Sequence, residues 1–257
     1  MFLHLDDADV LVSAFGAGPK TLLAHGGWVG SGEVWYPTFE PLSRRWRTIT
    51  YDHRGTGATL SRAPCITHDR LVDDLFRVLD ALGVETCVLG AESAGATITL
   101  EAAVRDRTRF EGLVIVDGRY RGGRSEGSAR LIEGCRADFS ATMDAFIAAC
   151  FPEPDCDAVR RWARQIVDRS NATAAVELME SADDAALEQR LGEIDLPALI
   201  LHGRQDAIVP LAAAQQLAEV LPMGKLIILE ETGHVPTMSR PTEVAREIEV
   251  FFGQQSV

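Results

Sequence analysis

The chain is short of positive charge: 25 lysines and arginines stand against 38 aspartates and glutamates, giving a net charge of −13 and a pI of about 4.9. Such a balance repels phosphate backbones and anionic lipid, so neither nucleic acid nor a membrane surface is an expected partner. No C-x-x-C pair occurs among the five cysteines (Cys65, Cys87, Cys135, Cys150, Cys156). An odd, scattered set fits neither a zinc site nor a disulfide frame and points to free thiols in a reducing compartment. The opening stretch MFLHLDDADVLVSAFGAG has no basic leader segment and carries three aspartates by residue 9. No apolar run reaches the ~18 residues a membrane span requires. A cytoplasmic protein is the expectation. The G-x-x-x-x-G-K-[ST] phosphate loop and the H-E-x-x-H metal pattern are also missing, so no metal and no cofactor are expected.

What is present is enough apolar material for one sizeable core, with 46% hydrophobic residues in 257. Apolar or β-branched runs fall at 10–15, 21–24, 46–51, 86–89, 112–116, 198–201 and 225–229. Stretches with helical spacing lie between them at 35–42, 68–82, 94–105, 211–220 and 242–252. In 68–82, Leu71, Val72, Leu75, Val78, Leu79 and Leu82 recur at three- and four-residue steps, the pattern of an amphipathic helix lying on a sheet. Alternation of this kind predicts a mostly parallel α/β sheet flanked by helices, with ligands outside the carboxyl ends of its strands.

One region interrupts the alternation. From 119 to about 192 there is no β run, only helix-like stretches at 128–151, 156–167, 172–179 and 184–191, broken by Pro152 and Pro154. The expected organisation is one domain with a core of 1–118 and 193–257 and a helical lid over about 119–192. An ordinary helical elaboration without a gating role would leave the same pattern.

The stretch VLGAESAGATITL places Ser93 at a tight strand-to-helix junction, where Gly90, Ala91, Ala94, Gly95 and Ala96 leave room for a sharp turn. Ser93 taken alone also reads as a helix N-cap. Further segments accompany it: HGGW at 25–28 after one strand, YDHRGTGAT at 51–59 after another, then HGRQDAIVP at 202–210 and EETGHVP at 230–236. In these motifs and in their order, the chain resembles the α/β-hydrolase fold family, whose nucleophile sits on a G-x-S-x-G elbow. Ala91 stands here for the elbow's first glycine, and Thr59 for the serine of D-x-R-G-x-G-x-S.

The resemblance implies a serine hydrolase with a catalytic triad of Ser93, Asp206 and His234, and a lid inserted after strand 6 of the family's sheet, here the run 112–116. It also implies an oxyanion hole formed by the amide of Ala94 with that of Gly27 or Trp28. The expected substrate is a small molecule carrying an ester, lactone or related acyl bond, and the protein a monomer or homodimer. A silent ligand-binding protein or a non-hydrolytic lyase on the same fold are the alternatives. Asp117, after the run 112–116, is a second candidate for the triad acid, because some relatives carry theirs there. The GRQDAIVP context favours Asp206. Glu92 reads as a buried structural carboxylate or as a tuner of His234, and His25 as a loop organiser. Asp52 and Arg54 read as structural. Arg119, Arg121, Arg124 and Arg130 either form a solvated basic turn or receive an anionic substrate.

Overall fold

A computed structural model describes residues 1–63, 65–183 and 187–253. Among the described residues, nine strands form one sheet: β1 (Phe2–Leu5), β2 (Ala8–Phe15), β3 (Lys20–His25), β4 (Trp46–Tyr51), β5 (Leu60–Ser61), β6 (Cys87–Glu92), β7 (Phe110–Val116), β8 (Ala198–Gly203) and β9 (Gly224–Leu229). Their order is β1-β2-β4-β3-β6-β7-β8-β9, with β5 paired to β2. All neighbours from β4 to β9 run parallel, and β1, β2 and β5 are antiparallel additions at one edge.

The inner strands explain why the apolar runs do not alternate. Every residue of β6 and β8 is buried, as a strand covered on both faces requires. The helices doing the covering are α1 (Tyr36–Leu42), α2 (His68–Ala81), α3 (Gly95–Arg105), α8 (Leu211–Val220) and α10 (Pro241–Gly253), with a single turn, α9 (Pro236–Ser239), before the last. α1 packs on α10, α2 on α3, and α8 on β8 and β9. The apolar stripe foreseen in α2 is its buried face (Leu71, Val72, Leu75, Val78, Leu79), and the Thr67 side chain caps it by accepting from the Arg70 amide at 3.3 Å. Arg54, the residue read as structural, forks onto Asp74 of this helix at 2.6 and 3.0 Å with almost no exposure. Asp52 accepts the amides of Gly32 (3.1 Å) and Ala58 (2.8 Å) and so shapes the loop after β4.

Between β7 and β8 lie α4 (Glu126–Ala137), α5 (Phe139–Cys150), α6 (Asp157–Val167), α7 (Ala172–Asp183) and a short 3-10 segment, Glu188–Glu193. Two details differ from the sequence expectation. The stretch 128–151 is two helices, because Asp138 turns extended (φ −154°) and caps α5 through the Ala141 amide at 3.0 Å. The helix expected at 184–191 begins in residues outside the described set, and its remainder is the 3-10 segment. Strands β1 and β5 were not foreseen. One is half-exposed and the other only two residues long, so neither leaves a hydrophobic pattern. Among the described residues no helix is long and apolar enough to cross a membrane.

Candidate active site

Five loops leave the carboxyl ends of β3, β6, β7, β8 and β9, and they bring the site together. β6 is longer than its apolar run suggested, pairing with β3 through Gly90 and Ala91 and with β7 through Gly90, Ala91 and Glu92, so the strand ends directly at Ser93. Ser93 has φ +50°, a left-handed conformation that a side chain adopts at a cost of about 1–3 kcal/mol. It is held there from both sides: its amide donates to Val116 O (2.9 Å), and its carbonyl accepts from the Arg119 amide (3.0 Å). Ala91 needs no left-handed backbone at its position in β6, so alanine serves where the family's elbow has glycine. Glycine is needed at Gly95, where a Cβ would lie 2.4 Å from Gly26 O. That approach seats the loop after β3 against the start of α3.

His234 Nε2 lies 2.8 Å from Ser93 Oγ, and His234 Nδ1 lies 2.7 Å from Asp206 Oδ2. Asp206 Oδ1 accepts the amides of Ile208 (2.7 Å) and Val209 (2.9 Å), which fixes the carboxylate's orientation. The side chains of His234 and Asp206 are buried, and Ser93 is 7% exposed. Burial raises the Asp206 pKa, but the charge and hydrogen bond of His234 and the two amides outweigh it, and Asp206 is held below the usual carboxylate range. Burial works against a charged imidazole too, yet Asp206, with Glu92 adding to it, raises His234 above its ordinary value.

Asp117 occupies a different place. Its Oδ1 accepts the Gly203 amide at 2.8 Å, and the ring of His202 lies 3.2 Å away. Burial, reinforced by the charge of Asp206, raises its pKa well above the ordinary value. Asp117, Asp206 and His234 lie close enough together to offer three ligand atoms to an ion. Both ring nitrogens of His234 are already engaged, one by Asp206 and one by Ser93, which leaves the imidazole no open nitrogen for an ion.

His25 Nδ1 lies 2.7 Å from Gly26 O, and its ring stacks on His53 at 4.6 Å, the arrangement of a loop organiser. Burial lowers its pKa to about 4, so the ring is neutral. Gly27 and Trp28 border the space in front of Ser93 on one side, and Ala94 borders it from the N-terminal end of α3, where amides lack intrahelical acceptors. Glu92 is 4% exposed, with Oε1 3.8 Å from His234 Nε2.

Two cavities meet at Ser93. A wide one of about 960 Å³ runs along the small-residue faces of α4 and α5 and is bordered by Arg119, Arg121, Arg124 and Arg130. Arg121 donates to Gln216 at 2.5 Å, and Arg130 pairs with Glu126. A narrow cavity of about 40 Å³ lies between His234, Glu92 and the apolar sides of α5 and α6. Trp28 and Phe146 border both, packed edge to face with centroids 5.2 Å apart.

Sequence reasoning missed Glu153. From the turn between α5 and α6 its Oε1 accepts from the Gly233 amide and from Ser239 Oγ, each at 2.9 Å, while the His234 amide donates to Cys150 O at 2.8 Å. The only trace in the sequence is a carboxylate set between two prolines, FPEP. Likewise unforeseen, the Trp28 indole donates to Ala175 O of α7 at 2.7 Å.

Comparison with known proteins identifies the family of the fold. A model of the alpha/beta hydrolase family matches residues 21–247. The chain is 28% identical over 230 residues to a putative carbamate hydrolase of Agrobacterium fabrum, covering 86% of this chain and 88% of that protein. It is 25% identical over 256 residues to a pimeloyl-[acyl-carrier protein] methyl ester esterase of Aliivibrio fischeri, covering 94% and 96%. Among solved structures, the enol-lactonase of Burkholderia xenovorans superposes with a TM-score of 0.91 over 98% of this chain and 100% of that one, at 19% identity. With its mostly parallel sheet, its strand-end site and a family match spanning most of its length, the chain belongs to the alpha/beta hydrolase family and is a hydrolase.

Proposed function

We propose that the protein is a serine hydrolase that cleaves an ester, lactone or related acyl bond of a small molecule through Ser93, His234 and Asp206. The observation that carries this reading is the unbroken line of hydrogen bonds from Ser93 Oγ through both nitrogens of His234 to Asp206. A serine hydroxyl is a weak nucleophile at neutral pH and needs such a base. His234 takes the hydroxyl proton as Oγ attacks the carbonyl carbon, and Asp206 stabilises the resulting imidazolium. The amides of Ala94 and of Gly27 or Trp28 hold the oxyanion, each worth on the order of 3 kcal/mol. His234 then protonates the leaving group, and water releases the acyl group from Ser93. Nucleophile, base and oxyanion donors all come from the chain, so this sequence of steps calls on no cofactor.

The helices α4 to α7 act as the lid of a single domain, and substrate contacts lie on their inner faces. The relatives' named reactions, carbamate hydrolysis and methyl ester hydrolysis, both proceed at a carbonyl carbon and support an acyl-bond substrate. The test is labelling with a fluorophosphonate, located by mass spectrometry, together with turnover of p-nitrophenyl acetate and of methyl esters. Label on Ser93, with turnover abolished in Ser93→Ala, is the expected result. An unlabelled wild type whose turnover matches that of Ser93→Ala would overturn the reading and favour a binding protein.

A further inference from the structure

The acylation steps above leave one buried acid beside the nucleophile unused. Glu92 ends β6, and its carboxyl group has almost no solvent contact at 4% exposure. Oε2 lies against Gly27, where a Cβ would come within 2.2 Å of it. Oε1 has no hydrogen-bond partner and stands 3.8 Å from His234 Nε2. Buried polar oxygens are rarely left unpaired, because each one costs on the order of 1–3 kcal/mol. Glu92 therefore keeps an acceptor ready for a group that enters during the reaction.

The space in front of that oxygen limits what the group can be. Glu92, Ser93 and His234 border the narrow cavity of about 40 Å³, and its far wall is apolar, with Phe146, Ile166 and Val235. At about 10–15 Å³ for each water position, the cavity holds roughly three. Oε1 and Nε2, 3.8 Å apart, fall within the ~4.5 Å that one water spans when it donates two hydrogen bonds of about 2.8 Å. The apolar wall offers this water no competing partner, so Glu92 and His234 decide its orientation.

We propose that Glu92 binds and orients the hydrolytic water of deacylation. The water donates one proton toward His234 Nε2 and the other to Glu92 Oε1, which turns its lone pair toward the acyl carbon on Ser93. The water oxygen bonds to that carbon as its first proton passes to His234. The bond from the carbon to Ser93 Oγ then breaks, and His234 returns the proton to Oγ. The second proton stays on the attacking oxygen, held by Glu92, and leaves with the product acid. The proposal rests on the serine-hydrolase reading, since it concerns that reaction's second half.

The ionised form of Glu92 is the better acceptor. Burial pushes its pKa up, the His234 charge and the Gly27 amide lower it, and the Asp206 charge raises it, with the result at about 7. The charge of Glu92 also acts on Cys150 and Asp117. Both forms of Glu92 are thus populated near neutrality.

The test separates the two halves of the reaction with p-nitrophenyl acetate by stopped flow and rapid quench, in the wild type, Glu92→Gln and Glu92→Asp. In Glu92→Gln, the amide oxygen pairs with the Gly27 N–H and turns the NH2 toward the water, replacing an acceptor with a donor. Acylation is expected to stay within about threefold of wild type, while decay of the acetyl-enzyme slows at least about 30-fold and acetylated Ser93 accumulates in the mass spectrum. Glu92→Asp withdraws the acceptor by one methylene and should slow decay less. Fluorophosphonate labelling of Ser93 checks the fold and the acylating groups of each variant. In the wild type, the pH profile of decay should carry one more ionisation near 7 than that of acylation. Equal changes in both halves, no change in either, or coincident wild-type pH profiles would overturn the proposal. A wild type that takes up no fluorophosphonate would instead overturn the serine-hydrolase reading.

Discussion

The two cavities at Ser93 differ in size, wall and charge. The narrow one, about 40 Å³, is bordered by residues at the ends of inner strands, by His234 and Glu92, and by the buried sides of α5 and α6. The wide one, about 960 Å³, is bordered by small residues of α4 and α5 and by arginines on a chain that carries a net −13. In the first, the polar side chains project from a strand end and from loops whose main chain the sheet holds in place. In the second, the boundary is made of helix faces and exposed side chains. In the proposed mechanism the bond-breaking groups sit where the parallel sheet fixes backbone position, while the arginines of the wide cavity sit where substitution disturbs little.

The largest effect should come from the acid behind His234. Asp206→Asn is expected to lower kcat about 10³- to 10⁴-fold by setting the wrong imidazole tautomer. Asp117→Asn should lower it less than tenfold, because the partner of His234 Nδ1 is Asp206. Steady-state kinetics of the two variants side by side would settle which carboxylate does the work.

Next in size is Glu153, which ties the loop of His234 to the turn between α5 and α6. Glu153→Ala should cut kcat about 10- to 100-fold with little change in KM, and Glu153→Gln should recover part of the loss. A change confined to KM would contradict a role in placing His234.

The boundary between the cavities can be opened or crowded. Phe146→Ala removes half of the Trp28–Phe146 partition, and the ratio of kcat/KM for long-chain over short-chain acyl esters should change about tenfold. Ala145→Phe fills the wide cavity from an exposed position, and should raise KM for long-chain esters about tenfold while leaving acetates within about twofold.

The smallest expected effects are electrostatic. His234 must be neutral to act as a base, and its pKa is raised above the ordinary 6.5. The acid limb of kcat/KM should therefore lie above pH 6.5, with activity lost as pH falls through it. Glu92→Gln removes one of the charges that raise His234, so the limb should move to lower pH. Arg124→Ala at the exposed rim should raise KM about two- to fivefold for an anionic ester and leave a neutral one unchanged, the difference fading in high salt.

Much of this molecule could be read from the sequence because its central strands are buried on both faces and advertise themselves as continuous apolar runs. Ser93, Asp206 and His234 each follow such a run by a few residues, so finding the strands also found the loops. What escaped notice depends on contacts between distant segments. Strands β1 and β5 lie at an edge where one side meets solvent, and their composition carries no period. The break at Asp138 is a competition between helix continuation and capping that composition alone leaves balanced. Glu153 is 80 residues from the amide it holds, and only the folded chain shows that the two meet.

The attachment of Glu153 to Gly233 and Ser239, with that of Trp28 to Ala175, bears on how such proteins diversify. The segment between β7 and β8 interrupts the strand-helix alternation and is the unit an engineer would exchange whole. Here the loop of His234 and the loop after β3 both hang from it. A chimaera that imports another cassette inherits its partner's substrate surface but loses two anchors of its own machinery. Grafts that keep 150–153 and 172–178 from this chain, and replace only α4 and the first turns of α5, respect the seam along which the protein can be recombined.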